Sequence, residues 1–297
     1  TKPLNEAFAS DLDINGVTKN ILKKYNALAQ SEKLESLLDP GNKAALDDYL
    51  WGREVIDMLT DFPVPGLAAS DFCGTLRKQL PRLYSIASSL RAHPAEVHLT
   101  IAIVRYHSHG RDREGVCSTY TADRVDEGGT MPVFLHYDKN FKLPEDGDTP
   151  IIMVGPGTGI APFASVIRDP ETYEKFEDVI LLHTCRDAAE LTYGQELVEA
   201  TRGDELVGEE ASKKLRLFSS TTRETTDVMG RQTDLMASGR LFEMLGVPPI
   251  NPEEDRGMIC GSMAMLKDTK AALESFGLVE GANNRPASFV VEKAFVG

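Results

Sequence analysis

Cysteine is scarce and dispersed in this 297-residue chain. Cys73, Cys117, Cys185 and Cys260 are its four cysteines, and none forms a CxxC pair. That argues against a disulfide framework, a zinc knuckle or a cysteine-ligated iron–sulfur cluster. Long apolar runs are absent too: none approaches the roughly 18 residues needed to span a bilayer. The first residues, Thr1-Lys2-Pro3-Leu4-Asn5, lack the apolar core of a signal peptide. Basic charge is in deficit, with 32 Lys and Arg against 46 Asp and Glu and a formal net charge of −14. A general nucleic-acid binder is thereby excluded, since phosphate binding needs a basic surface. The six histidines, His93, His98, His107, His109, His136 and His183, show no metal-ligand spacing, and no metal is expected. No GxSxG elbow of a serine hydrolase occurs, and no internal repeat or low-complexity tract. A reducing cytoplasm is the expected location.

What remains is the balance of a soluble globular protein, 41% hydrophobic and 26% charged, with length for about two domains. Residues 1–150 carry 17 basic and 22 acidic side chains, and residues 151–297 carry 15 and 24. An acidic partner would therefore meet the first half more readily. Residues 19–60 read as helical, with Leu22, Tyr25, Leu28 and Ala29, then Ala45, Leu46, Leu50, Val55 and Leu59, at helical spacing. Pro63-Val64-Pro65-Gly66 breaks that run. From about residue 82 the texture changes. Val97 to Val104 and Pro132 to Leu135 predict strands of an antiparallel sheet or barrel. After Pro150 short apolar runs (Ile151–Val154, Val179–His183, Leu215–Phe218, Met258–Cys260) alternate with helical segments. That rhythm predicts a parallel sheet covered on both faces, with ligands at the carboxyl ends of its strands.

Four strings carry chemistry. Gly155-Pro156-Gly157-Thr158-Gly159-Ile160-Ala161-Pro162-Phe163 follows the first parallel strand. Closely spaced glycines let the backbone approach a phosphate, and a helix starting there offers free N–H donors. The string is neither GxGxxG nor a nucleotide-hydrolysing P-loop. Dinucleotide binding is its reading, although a plain strand-to-helix turn has the same form. Arg82-Leu83-Tyr84-Ser85 offers a guanidinium for a diphosphate, a ring for a flat heterocycle and a hydroxyl for a ring nitrogen. An ordinary strand with one exposed arginine has the same pattern. Gly115-Val116-Cys117-Ser118 precedes a predicted helix over Thr121–Val125, as a phosphate cradle or simply a helix cap. Thr222-Arg223 and Gly230-Arg231 follow the third parallel strand, where arginines would select a 2′-phosphate or merely be solvated. Cys260-Gly261-Ser262 ends the fourth, where a cysteine borders a reactive ring or only packs.

In this order the strings resemble the ferredoxin–NADP reductase superfamily, whose members bind FAD in a β-barrel domain and NADP(H) in a following α/β domain. Residues 1 to about 163 are similar to the flavoprotein subunit of NADPH-sulfite reductase and its cytochrome P450 reductase relatives. The strings carrying this are Pro3-Leu4-Asn5-Glu6-Ala7, Lys43-Ala44-Ala45-Leu46, Pro81 to Ser89, and Asn140-Phe141-Lys142-Leu143-Pro144. Residues from about 164 are similar instead to bacterial ferredoxin/flavodoxin–NADP reductases, through Arg168 to Phe176, Glu190-Leu191-Thr192-Tyr193-Gly194 and Phe289 to Gly297. The change falls at the glycine-rich turn that both groups share. A natural fusion, a laboratory chimera or a hybrid sequence would each produce it.

The resemblance implies a mixed β and α/β fold. A helical connecting region would occupy residues 1–75, an antiparallel FAD-binding β-barrel portion 76–147, and a doubly wound parallel-sheet NADP(H) domain 148–297. Relatives carry further barrel strands before the connecting region. Without them the barrel is incomplete and the chain a fragment. Arg82 would hold the FAD diphosphate, Tyr84 stack on the isoalloxazine and Ser85 hydrogen-bond near its N5. Gly115, Val116, Cys117 and Ser118 would cradle the diphosphate. Thr100, Ala102 and Tyr106 would line the flavin or its adenine end. Gly157 and Thr158 would meet NADPH; Thr222, Arg223 and Arg231, with Arg186 near, would read its 2′-phosphate. Cys260 would border the hydride path, and Phe295 would lie by the flavin. Electrons would pass from NADPH through FAD to ferredoxin, flavodoxin or an FMN domain, and a sulfite reductase hemoprotein is a further implied partner. The alternatives are a flavin-free interaction fragment of a larger reductase complex, and an NADH-linked reductase of the cytochrome b5 reductase type, which Arg223 and Arg231 disfavour.

Overall fold

The computed structural model describes residues 2–281 and 287–294. The chain divides into two compact units, Thr1–Arg82 with Ile103–Pro132, and Leu83–Ala102 with Val133–Gly297.

Six helices open the first unit: α1 (Leu4–Ser10), α2 (Lys19–Ala29), α3 (Glu32–Leu38), α4 (Lys43–Leu50), α5 (Val55–Asp61) and α6 (Ala69–Thr75). Side-chain caps set two of the starts. Thr18 accepts from the Ile21 N–H and Ser31 from the Leu34 N–H, each satisfying a donor the helix itself leaves open. Ile21, Leu22 and Tyr25 fall on one face of α2 and pack with Leu34, Leu46, Met58, Phe62 and Phe72. Tyr25 is fully buried, and its hydroxyl is satisfied by donating to Phe62 O at 2.7 Å.

A hairpin follows in the same unit, β1 (Arg105–Ser108) antiparallel to β2 (Arg111–Glu114). His109 and Gly110 both adopt positive φ (49° and 72°), as a two-residue turn matched to strand twist requires. His109 Nε2–H donates to Trp51 O (2.9 Å). Arg113 is buried and bonds both Glu54 and Asp57, and Arg111 adds a second contact to Asp57. Helix α7 (Val116–Arg124) starts directly after Gly115, five residues before the expected Thr121, because Gly115 already stands at its N-cap in extended conformation.

The second unit is built on five parallel strands, β3 (Thr149–Val154), β4 (Phe176–Cys185), β5 (Leu215–Thr221), β6 (Arg256–Gly261) and β7 (Phe289–Lys293), in the order β5-β4-β3-β6-β7. All four apolar runs pair as expected; β7 is additional. Alternate residues face opposite layers. Ile151, Met153, Val179 and Leu181 meet α8 (Ala161–Ile167), α9 (Pro170–Lys175), α10 (Ala188–Arg202) and α11 (Gly208–Lys214) through Phe163, Tyr173, Leu197 and Ala211. Ile152, Val154, Ile180 and Leu182 meet α12 (Gln232–Ala237), α13 (Arg240–Leu245) and α14 (Met263–Ser275) through Leu235, Phe242 and Leu266. Burial on both faces explains why these strands read as unbroken apolar runs. Each fully buried Leu, Ile or Phe contributes about 1.5–3 kcal/mol. The strand order reverses between β3 and β6, and a crevice at that reversal is where ligands of such sheets sit.

Two strand expectations fail. Val97 to Val104 makes no named strand: one antiparallel bridge joins Ile86 to Leu99, and no ladder runs alongside. Residues 132–135 form none either, and Val133, Phe134 and Leu135 are 77%, 60% and 79% exposed. β-branched composition favours extended backbone, but a ladder needs a partner strand. Among the described residues the antiparallel pairing is the β1–β2 hairpin and isolated bridges, not a closed barrel.

The charged cluster under the hairpin makes a test. Burial alone would raise the Asp57 carboxyl, but hydrogen bonds from the Glu54 N–H and Arg113, with the charges of Arg113 and Arg111, hold it below its ordinary value. Asp57→Asn, which leaves buried Arg113 half-compensated, is expected to cost about 3 kcal/mol in denaturant unfolding at neutral pH. A depressed carboxyl stabilises above its unfolded pKa and loses that contribution as pH falls through the folded value. The difference between variant and wild type should therefore shrink in acid. A cost below about 1 kcal/mol, typical of a surface pair, contradicts the cluster's role.

Candidate active site

The site grows from the end of β3. Gly155 N–H donates to Leu182 O (3.0 Å), and the chain then turns through a single 3-10 turn, Gly157–Ile160, into α8. Gly157 holds φ +55°, a left-handed conformation that glycine adopts without strain. Gly159 lies directly against β6: a Cβ there would stand 2.3 Å from Cys260 O. Any side chain at 159 would force the turn and β6 apart, which is why this string needs its glycines.

Behind the turn lies a buried relay that the sequence did not mark. His183 Nδ1–H donates to Gly155 O (2.9 Å), so neutral Nε2 accepts from the Cys185 thiol (3.2 Å). Burial keeps His183 below its ordinary pKa and pushes Cys185 up to about 11. Both groups are therefore neutral at pH 7 and act as struts, not as nucleophile and base.

In front of the turn three side chains from distant parts of the sequence meet. Register pairs Cys260 on β6 with Glu292 on β7. Cys260 Sγ–H lies 3.4 Å from Glu292 Oε2, and Ser85 Oγ lies 3.2 Å from each carboxylate oxygen. Ser85 is delivered by a segment fastened to the second unit. Ala87 is buried in its core, Ala87 N–H donates to His98 O (2.8 Å), and Ser89 Oγ donates to Asp169 (2.7 Å). Beyond β7, Ala294 N–H donates to Gly261 O (3.0 Å). Burial raises the Glu292 carboxyl; hydrogen bonds from Cys260 and Ser85 oppose the rise, and the Asp138 charge adds to it. Burial and the Glu292 charge likewise raise the Cys260 thiol, so it stays protonated and serves as a small soft wall. A half-buried carboxyl displaced toward neutrality, beside a hydroxyl and a thiol, can hold or pass a proton. Glu292 was missed because a glutamate in a strand carries no signal of its own. Only the parallel register with Cys260 discloses it.

The other expected residues are placed as follows. In the second unit Tyr84 is half-buried, Ala102 is exposed, and Thr100 Oγ1 meets Tyr193 Oη on α10 at 2.5 Å. Thr222 and Arg223 are brought beside Arg186 by backbone bonds across the ends of β4 and β5: Thr222 N–H to Cys185 O and Arg223 N–H to Arg186 O, each 2.9 Å. Arg186 bonds Glu190, whose carboxyl is held low by that contact first and also by the Arg223 charge. Arg231 stands at the start of α12 with its guanidinium 3.6 Å from Asp268. In the first unit Arg82 is exposed and donates to Leu80 O (2.9 Å), and Tyr106 is exposed on β1. Ser118 is buried, with its hydroxyl turned inward to accept from the Val104 N–H (3.2 Å). The Gly115 N–H donates to Val104 O (2.9 Å), so this turn is tied back onto the residue that precedes β1. Phe295 lies outside the described residues.

Comparisons with known proteins match two families in succession. Residues 1–120 match the family described as FAD binding domain, and residues 153–271 the family described as oxidoreductase NAD-binding domain. The chain is 59% identical over 141 residues to a flavodoxin/ferredoxin–NADP reductase of Rhodobacter capsulatus, covering 48% of this chain and 52% of the relative. It is 48% identical over 170 residues to the NADPH sulfite reductase flavoprotein alpha-component of Bacillus subtilis, covering 57% of this chain and 28% of that one. The chain thus spans about half the length of the first relative and little over a quarter of the second. A crystal structure of a ferredoxin NADP+ reductase from Neisseria gonorrhoeae with bound FAD and NADP shares the fold, with TM-score 0.53 and 23% identity, covering 75% of this chain and 82% of that one.

The raised Glu292 carboxyl has a stability signature. A carboxyl whose folded pKa lies above its unfolded value favours the fold below the unfolded pKa and loses that contribution as pH rises through the folded one. Glu292→Gln removes the loss. Its Tm relative to wild type is expected to become more favourable between pH 4 and pH 8 in calorimetric scans. A difference that is flat or reversed contradicts a buried, destabilised carboxylate.

Proposed function

We propose a function from one premise: the chain belongs to the ferredoxin–NADP reductase superfamily, with an FAD-binding portion followed by an NAD-binding oxidoreductase domain. In this reading it is an FAD-dependent NADPH reductase module. Residues 1–75 form a connecting region, 76–147 the flavin-binding portion and 148–297 the NADP(H) domain. Electrons leave singly to a carrier such as ferredoxin, flavodoxin or an FMN domain. A sulfite reductase hemoprotein is the partner that the sulfite-reductase-like first part suggests.

The observation that carries this reading is the meeting of Ser85, Cys260 and Glu292 beside the Gly157 turn, where the strand order reverses. The residues fit the cofactors on their own terms. The space around Gly157 is open, and Gly159 lets the turn pack directly on Cys260 O. Arg186 and Arg223 place two guanidinium groups at the strand ends, suited to a 2′-phosphate. When bound, NADPH supplies the hydride and FAD the ring that accepts it and divides the electron pair. The protein's own part is positional. The Gly157 turn and Thr158 hold the nicotinamide end, Cys260 limits its approach, and Tyr84 offers a ring face for stacking. Ser85 presents a hydroxyl at the meeting point, oriented by Glu292, which can return a proton to that edge.

A second reading, a flavin-free interaction fragment of a larger reductase complex, is favoured by the open antiparallel part and the exposed Val133, Phe134 and Leu135. Visible absorption separates the two: a chain that takes up added FAD and turns yellow supports the reductase, and one that stays colourless supports the fragment.

For the FAD-loaded chain, Arg223→Ala combined with Arg231→Ala is expected to raise the KM for NADPH while leaving that for NADH nearly unchanged. Losing a charge-assisted contact costs roughly 1.5–3 kcal/mol, about ten- to a hundredfold. Equal effects on both nucleotides contradict the 2′-phosphate role. Ser85→Ala is expected to lower kcat about tenfold or more with little change in the KM for NADPH, since a contact made mainly in the transition state acts on kcat. An unchanged kcat removes Ser85 from the reaction.

A further inference from the structure

A second cluster of titratable side chains lies in the turn after Ser89, and neither the hydride path nor either nucleotide reading uses it. Glu96 N–H donates to His93 O (3.3 Å), closing the β-turn His93-Pro94-Ala95-Glu96, in which Pro94 presets the backbone. His98 follows two residues after Glu96, and in extended backbone such positions share a side. Its Nε2 is 3.0 Å from Glu96 Oε2, and the His93 and His98 rings lie 4.5 Å apart between centroids. One donor atom from each of the three residues falls within 4.8 Å of the others.

The backbone beneath is held by groups other than these side chains. Buried Ser88 accepts the His98 N–H on its hydroxyl (3.0 Å), and His98 O accepts from Ala87 N–H (2.8 Å). Ser89 O accepts the His93 N–H (2.9 Å), while the Ser89 hydroxyl takes the Arg91 and Ala92 N–H groups and donates to Asp169. Arg91 is paired with Glu171 (2.6 Å), so the neighbouring cation is already compensated.

We propose that His93, Glu96 and His98 form a binding site for a divalent transition-metal ion of the Zn2+ class. Two imidazoles and one carboxylate suit a borderline ion; Ca2+ and Mg2+ demand oxygen ligands. Three protein ligands leave one tetrahedral position for water. Bonds of about 2.0–2.1 Å need the donors drawn inward, which rotation of the half-buried histidines and the exposed Glu96 supplies without moving the serine-pinned backbone. The ion would tie the turn to the segment leading to Thr100. The proposal is independent of the proposed reductase function.

The test uses the full chain without a histidine tag, freed of metal by chelation. ZnCl2 is titrated in competition with a chromophoric chelator, and Co2+ absorption reports the geometry. The expected result is one equivalent bound with a Kd of about 10 µM or tighter, weakened about 10–100-fold in Glu96→Gln and at least that much in His93→Ala with His98→Ala. Absence of one-equivalent binding by the wild type overturns the proposal, and so does undiminished binding by the double variant, which would place Zn2+ elsewhere. Far-UV circular dichroism checks that the variants fold. Should the double variant fail to fold, His93→Asn carries the same test, and an unchanged affinity overturns the proposal.

Discussion

Gly159 backs onto the Cys260 carbonyl so closely that no side chain fits between them. That contact joins the end of β3 to the end of β6 at the one place where the strand order reverses. It fixes how the Gly157 turn sits against β6 and Cys260. It also leaves the Gly157 turn free to face outward. The His183–Cys185 relay supports the same turn from behind, through groups that burial keeps neutral. The chemistry of the site thus follows from a packing constraint, and the titratable groups are arranged around it.

Ser85, Cys260 and Glu292 form a polar cluster that contrasts with the charged cluster of the first unit. A half-buried carboxylate that meets only a hydroxyl and a thiol among the described residues is a poor structural element. A salt bridge such as that of Arg113 with Glu54 and Asp57 satisfies its charges more fully. The two charged groups serve opposite ends. One fastens a hairpin to a helix, and the other leaves a carboxyl displaced toward neutrality at the end of the parallel sheet. Cys260 beside Glu292 stays protonated, so no thiolate chemistry is expected there.

Much of this organisation was readable along the chain, and the exceptions have physical causes. Parallel strands buried on both faces announce themselves as apolar runs, so β3 to β6 were evident, and the glycine string after β3 marked the turn. Helices α2 to α5 followed from the spacing of residues such as Leu22, Tyr25 and Leu46. Val97 to Val104 has strand composition but forms only the Leu99 bridge, because composition cannot supply a partner strand. Glu292 and His183 were invisible for another reason. Their roles arise from register and from contacts across as many as 207 positions in sequence, in the case of Ser85 and Glu292. The meeting of His93, Glu96 and His98 likewise depends on a proline turn and two buried serines.

Transfer of a hydride at the Ser85 cluster is the claim on which the functional reading turns. Its most direct test is anaerobic stopped-flow mixing of the FAD-loaded chain with NADPH carrying deuterium at the transferred position of the nicotinamide. Rapid loss of the oxidised flavin absorption, slowed by the deuterium and slowed further in Glu292→Gln, is the expected result. Flavin that stays oxidised, or is reduced at a rate indifferent to both the label and the substitution, would contradict it.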